Sequence, residues 1–155
     1  MKVEHLLTKT VACCLPDEAT NEAVRIMWER DCGFVPVVES RESARVIGVV
    51  TDRDICIAAY TKNLPLDQIR LDEVMSTEVR TCRASDDVGD AEQTMRSAQV
   101  HRLPVVDDAG QLLGVLSVAD VARETAREAR AKHPQVTARE IGETVAAISR
   151  ARDVA

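Results

Sequence analysis

The sequence predicts an α/β (α+β) chain in which one strand–helix unit is used twice, followed by a helical extension. Three observations carry this. Val11, Ala23, Met27 and Pro36-Val37-Val38 recur 68 positions later as Val79, Ala91, Met95 and Pro104-Val105-Val106. Gly48-Val49-Val50-Thr51-Asp52-Arg53-Asp54 returns as Gly114-Val115-Leu116-Ser117-Val118-Ala119-Asp120, with the register shortened by two. Within each copy, β-branched runs alternate with apolar residues at helical spacing. A repeat this long is a whole supersecondary unit, whereas solenoid rungs run to roughly 20–50 residues. Two such units predict a pseudo-twofold pair, with any ligand expected in the clefts where the copies meet.

Each copy reads β-α-β-β-α. A lead-in, Val3-Glu4-His5-Leu6-Leu7, is matched by Leu71-Asp72-Glu73-Val74-Met75. A short strand follows, then a helix over 17–30 with Ala19, Ala23, Ile26 and Met27 on one side. Asp17 and Glu18 are expected near its positive end. Val35-Pro36-Val37-Val38 and Val46-Ile47-Gly48-Val49-Val50 read as buried strands joined by a polar turn, and a helix runs from Asp52 to about Tyr60. The second copy repeats the pattern with Leu103 to Val106 and Leu112 to Leu116. Its turn, Asp107-Asp108-Ala109-Gly110, is two residues shorter, which accounts for the register change.

The expected boundaries are repeats at 3–60 and 71–126, a linker at 61–70 marked by Thr61 to Pro65, and a tail at 127–155. A helix from Val121 to about His133 should end at Pro134. Beyond it, Thr137-Ala138-Arg139-Glu140 has capping-box spacing, with Ile141, Val145 and Ile148 following at helical intervals. This amphipathic helix needs a surface, on its own domain or on a partner.

Composition narrows the function classes. With 45% hydrophobic and 30% charged residues, 155 residues suffice for a filled core. Aromatics at 2% leave few platforms for base stacking, and a net charge of −6 opposes binding along a nucleic-acid backbone. No apolar run reaches membrane-spanning length and the first residues lack a signal-peptide core, so a cytoplasmic location is expected. The five cysteines, at 13, 14, 32, 56 and 82, show no metal or disulfide spacing and read as small buried hydrophobes in a reducing compartment.

The duplicated pattern of Pro-Val-Val, a turn, then glycine, two apolar residues, Thr or Ser, and Asp three residues on resembles the CBS-domain family. The pair looks like a Bateman module over about 3–126. His101-Arg102-Leu103-Pro104-Val105 also resembles the nucleotide-binding repeats of AMP-activated protein kinase gamma subunits. The resemblance implies a pseudo-twofold pair with two clefts that take adenosine-containing ligands, and a homodimer formed through its helices.

The motif has a chemistry of its own. Thr51 and Ser117 stand where a strand becomes a helix, so a hydroxyl and first-turn N–H groups can hold a phosphate. Asp54 and Asp120, one turn later, offer carboxylate oxygens to a ribose diol. The same spacing is also that of a helix cap, which needs no ligand. Arg53 in the first copy is replaced by Ala119, while His101 and Arg102 stand where the first copy has Gly33 and Phe34. Related modules use such positions for phosphate, so Arg53, His101 and Arg102 are phosphate candidates, and exposed surface is their alternative reading. Val46, Val100 and Leu112 are candidates to line an adenine slot or to be ordinary core. Backbone groups at Cys14-Leu15 and Arg83-Ala84 are further candidates to read the adenine edge.

No nucleophile–base pair or metal-ligand set is recognisable, so the expectation is a non-enzymatic regulatory module without a required cofactor. Its ligand would be AMP, ADP, ATP, NAD or S-adenosylmethionine, and its signal would pass to an effector protein. The alternative is a structural dimerisation module without a nucleotide ligand. Trp28 and Tyr60 read as interface or core, His5 and His133 as solvent-exposed, and the alternation from Arg123 to Arg130 as a solvated helix face.

Overall fold

A computed structural model describes residues 1–129 and 134–150. These residues form two compact units that cut across the sequence repeats. The first unit comprises Thr10–Val79 with Asp108–Leu112. The second comprises Met1–Lys9, Arg80–Asp107 and the described residues from Leu113 onward. Each lead-in therefore packs in the unit that holds the other repeat's strands.

In the first unit, helix α1 (Thr20–Arg30) precedes strands β1 (Phe34–Val38) and β2 (Val46–Thr51), then helix α2 (Asp52–Lys62). β1 and β2 are antiparallel, with Val35 opposite Val50 and an irregularity between Val37 and Val38. The expected leading strand is reduced to a single parallel bridge between Cys14 and Val37. The 3-10 turn Leu71–Glu73 carries the second lead-in to a bridge between Ser76 and Val49. Ala23, Ile26, Met27, Val35, Val37, Val50, Ile55 and Leu71 share one core. Ala23, Ile26 and Met27 are helix positions that the periodicity selects and Val35, Val37 and Val50 come from the expected strands, whereas Ala19 stays outside this core and Ile55 joins it.

In the second unit, strand β3 (Cys82–Arg83) runs parallel to β4 (Arg102–Val106), which also pairs with β5 (Leu112–Ser117). Helices α3 (Val88–Ala98) and α4 (Val118–Glu128) are the counterparts of α1 and α2. The first lead-in forms the 3-10 turn Val3–His5 and a bridge from Thr8 to Val115. Val3, Met95, Leu103, Val105, Leu116 and Val121 lie at the centre of the core.

The motif glycines explain themselves at these bridges. A Cβ on Gly114 would stand 2.4 Å from the Thr8 carbonyl oxygen, and one on Gly48 would stand 2.5 Å from Met75 Sδ. Each glycine lets a lead-in cross its strand at backbone contact.

Several expectations are corrected. α1 begins at Thr20, not Asp17. Glu18 lies outside the helix, where its carboxylate accepts from the Leu15 N–H at 2.7 Å and pairs with Arg41 at 2.7 Å. α2 extends to Lys62, two residues into the expected linker. α4 ends at Glu128, and the expected continuation to His133 lies outside the described residues. Among the cysteines, Cys14 and Cys82 are buried, and burial pushes both thiols up to about 12. Cys13 and Cys32 are half-buried, however, and Cys56 is exposed.

The tail forms helix α5 (Ala138–Ile148), with the expected Thr137–Glu140 capping box closed. It packs on α3 and α4 of its own unit, delivering Val136 and Ile148 to the core. Thr144, fully buried, donates to Glu92 Oε1 at 2.9 Å and accepts from Arg96 at 2.9 Å.

Candidate functional site

Both hydroxyl–carboxylate motifs stand where a strand becomes a helix. In the first unit, Thr51 is extended (φ −114°) and caps α2. Its Oγ1 accepts from the Asp54 N–H at 3.2 Å and donates to Asp54 Oδ2 at 2.7 Å. The same Oδ2 accepts from the Thr51 N–H at 2.9 Å. Asp54 Oδ1 has no partner among the described residues. Asp52 adds a second carboxylate, whose Oδ1 accepts from the Arg53 N–H at 2.7 Å.

In the second unit, Ser117 caps α4 in the same way. Its hydroxyl donates to Asp120 Oδ2 at 2.5 Å, its N–H reaches the same oxygen at 2.8 Å, and the Asp120 N–H donates back at 3.2 Å. Two differences follow. Val118 replaces Asp52, so no second carboxylate stands there. Asp120 Oδ1 is also taken, in an ion pair with Arg123 one turn further along α4, and Asp120 is only 9% exposed.

The capping function is thus realised at both motifs. Each cap satisfies helix-end donors and is worth about 0.5–2 kcal/mol. It also fixes the carboxylate, because one oxygen is bound by the motif's own N–H and hydroxyl and only the other is left for a further partner.

The basic candidates divide between the units. Arg53 lies in the first, and His101 and Arg102 in the second. His101 is exposed and Arg102 half-buried. None of the three side chains has a hydrogen bond or ion pair among the described residues. Arg25, Arg41, Arg70, Arg127 and Arg139 are all paired with carboxylates by contrast.

Of the apolar candidates, Val46 and Leu112 fall together in the first unit. The Val46 N–H donates to the Gly110 carbonyl at 3.1 Å, and the Leu112 N–H donates to the Ala44 carbonyl at 2.9 Å. Val100 is half-buried against the core of the second unit. The backbone groups offered to an adenine edge are largely engaged. Cys14 N–H and C=O bond to β1, Leu15 N–H bonds to Glu18, and Arg83 N–H bonds to Asp86.

Elsewhere on the first unit, an open depression of about 250 Å³ is lined by Cys13, Glu18, Arg25, Glu29 and Arg41, whose charges pair with one another. No group of three or more His, Cys, Asp or Glu among the described residues is placed to hold a metal ion. No described helix is long and apolar enough to cross a membrane.

Arg123 and Asp52 are the charged neighbours of the two motifs to which the sequence reading gave no role there. Arg123 stands three residues after a carboxylate on a helix, the spacing at which side chains meet. That signal was hidden inside the charged stripe it begins.

A hairpin feeding a capped helix, built twice and completed each time by a lead-in from the other repeat, defines a tandem-repeat module. The CBS domain profile matches residues 3–60 and 71–127, and the chain belongs to the CBS domain family. It is 33% identical over 120 residues to the CBS domain-containing protein YhcV of Bacillus subtilis, covering 77% of this chain and 82% of that one. It is 27% identical over 135 residues to the inosine-5'-monophosphate dehydrogenase of Methanocaldococcus jannaschii, covering 86% of this chain but only 24% of the enzyme. Among solved structures, the CBS domain pair of protein MJ0100, in complex with 5'-methylthioadenosine and S-adenosyl-L-methionine, superposes with a TM-score of 0.74. At 22% identity, over 83% of this chain and 98% of that one, this likeness shows the shared fold.

Proposed function

We propose that this chain is a regulatory module that binds an adenosine-containing metabolite at its two hydroxyl–carboxylate motifs and signals the binding to an effector protein. The candidate ligands are AMP, ADP, ATP, NAD and S-adenosylmethionine. Asp54 and Asp120 bind ribose hydroxyls, and Thr51, Arg53, His101, Arg102 and Ser117 serve a phosphate or other polar group. Val46, Val100 and Leu112 flank the base. The observation that carries the reading is the set of uncommitted polar groups at these positions: Asp54 Oδ1 and the Arg53, His101 and Arg102 side chains. The MJ0100 pair, crystallised with two adenosine compounds, supports the ligand class.

A thermal-shift panel of these five compounds with their guanine analogues tests it. A ligand at a hundredfold excess over its dissociation constant should stabilise the chain by about 2.7 kcal/mol. Asp54→Ala and Asp120→Ala should each weaken one binding event by about 1.5–3 kcal/mol. No shift with any compound would remove the adenosine reading.

A second reading, a structural dimerisation module with no nucleotide ligand, has its own support. Both motifs close as complete caps without any ligand, and Trp28 and Tyr60 are 88% and 86% exposed on the helices of the first unit. Homodimerisation belongs to either reading, and the ligand panel separates them.

A further inference from the structure

We propose that Arg123 makes the two ribose carboxylates unequal. It holds Asp120 in an internal ion pair, so that a nucleoside diol is taken first at Asp54 and at Asp120 only when Arg123 lets go. This rests on the reading of Asp54 and Asp120 as ribose ligands.

In both motifs one carboxylate oxygen is committed to the cap, receiving an N–H and a hydroxyl from Thr51 or Ser117. The remaining oxygen decides what the site can accept. On Asp54 it is open. On Asp120 it already accepts from the Arg123 guanidinium. A ribose hydroxyl approaching Asp120 must replace that charge-assisted bond, whereas one approaching Asp54 replaces only water. The first repeat has no equivalent restraint, because the position matching Arg123 is Ile57. The Arg123 side chain is itself 71% exposed. Its guanidinium can swing into water at little cost to itself, and the ribose hydroxyl that replaces it satisfies the buried Asp120 oxygen it leaves, so the pair acts as a gate and not as a permanent block.

Arg123 therefore sets the order of loading, and it does so without contributing to the fold's core. The same geometry distinguishes a gate from a phosphate ligand. A gate weakens every nucleoside equally at Asp120, while a phosphate-binding arginine would favour the phosphorylated ones.

Isothermal titration with adenosine and with AMP, on the full chain and on Arg123→Ile, Asp54→Ala and Asp120→Ala, tests this. The parent chain should bind adenosine in two events about tenfold apart in affinity, as expected for one lost hydrogen bond to a charged group. Asp54→Ala should remove the tighter event. Arg123→Ile should tighten the weaker event to within about threefold of the tighter. Because adenosine is uncharged, ~1 M salt should tighten the Asp120 event alone by screening the ion pair.

The proposal is overturned if the two parent events are equal, or if Arg123→Ile leaves the weaker one unchanged while each aspartate variant still removes one event. It is also overturned if Arg123→Ile weakens AMP at Asp120, which would make Arg123 a phosphate ligand. If the aspartate variants bind like the parent, or neither compound binds, the ribose reading itself fails.

Discussion

α1 and α2 in the first unit match α3 and α4 in the second residue for residue, yet among the described residues only the second pair carries a further helix. α5 lies over α3 and α4 and is held there by Thr144, which links Glu92 to Arg96. At the matching positions on α1, Glu92 becomes Val24 and Arg96 becomes Trp28. The covered pair thus joins its extra helix through a polar network, while the uncovered pair presents Trp28, Ile57 and Tyr60. Exposed aromatics on neighbouring helices are uncommon on a free surface and suit contact with another chain. The duplication set the backbone twice, and the divergence gave one face to an intramolecular helix and left the other open.

The glycine motifs offer the largest expected contrast between the copies. A methyl group on Gly114 would meet the Thr8 carbonyl oxygen and Leu7, and the backbone there can move only by releasing the lead-in. One on Gly48 would meet chiefly the Met75 thioether, a flexible chain end that can turn away. Gly114→Ala should therefore cost about 3 kcal/mol and Gly48→Ala about 1 kcal/mol. Urea unfolding with hydrogen exchange would check this, with the loss of protection centred on Thr8 in the first case. Equal effects would mean that the lead-ins are interchangeable.

How much of this was legible beforehand follows from range. The repeat, the strand pairs and the capping boxes are local, since Thr51 and Asp54 lie one turn apart and their types alone specify the cap. The regrouping of the lead-ins was not legible, because Thr8 meeting Val115 is a pairing that periodicity cannot see. Glu92 illustrates the same limit. On α3 it is 2% exposed, and it meets the Thr144 hydroxyl of α5, 52 residues further along the chain. At the two motifs the hydroxyl–carboxylate caps were legible, but which carboxylate oxygen is open was not. That depends on Arg123, whose charge belongs to a stripe that looks uniform in sequence.

Removing the polar link under α5 should have the next largest effect. Thr144→Val keeps the volume but leaves Glu92 buried without its hydroxyl donor, which should cost about 1–3 kcal/mol. Calorimetry would measure the loss, and exchange should place it on α5 and α3. A change below about 0.5 kcal/mol would mean that α5 is held by Val136 and Ile148 alone.

The buried carboxylate also gives the second unit a raised carboxyl, whereas in the first unit Asp72 and Glu73 are held low by Arg70 and Lys62. Burial raises the Glu92 carboxyl above its usual range, opposed by the Thr144 hydrogen bond and by Arg96, with Glu140 adding to the rise. The folded chain therefore keeps this proton to higher pH than the unfolded chain does. Between the usual glutamate value and the raised one, the folded state binds more protons, so stability falls as pH rises. Glu124 and Glu140 act with the opposite sign. The hydrogen bonds from Arg127 and Thr137 hold them low, so their contribution is lost as pH falls through the acid range. Glu92→Gln isolates the first effect. The stability difference between variant and parent should grow in the variant's favour from mildly acid to neutral pH, and a difference independent of pH would assign the effect to packing.

The smallest expected effect bears on the open face. Trp28→Arg installs in the first repeat the cation that the second carries as Arg96. Because Trp28 is 88% exposed in the single chain, the exchange should change the stability of an isolated chain by no more than about 0.5 kcal/mol. The comparison breaks if the loss is larger at every protein concentration, since α1 would then be buried within its own chain. If the loss appears only as concentration rises, and sedimentation shows the parent associating where the variant does not, a second copy covers the open helices where α5 covers their counterparts. Measuring both variants across a hundredfold range of concentration separates the two, because an intramolecular contact is independent of concentration and an association is not.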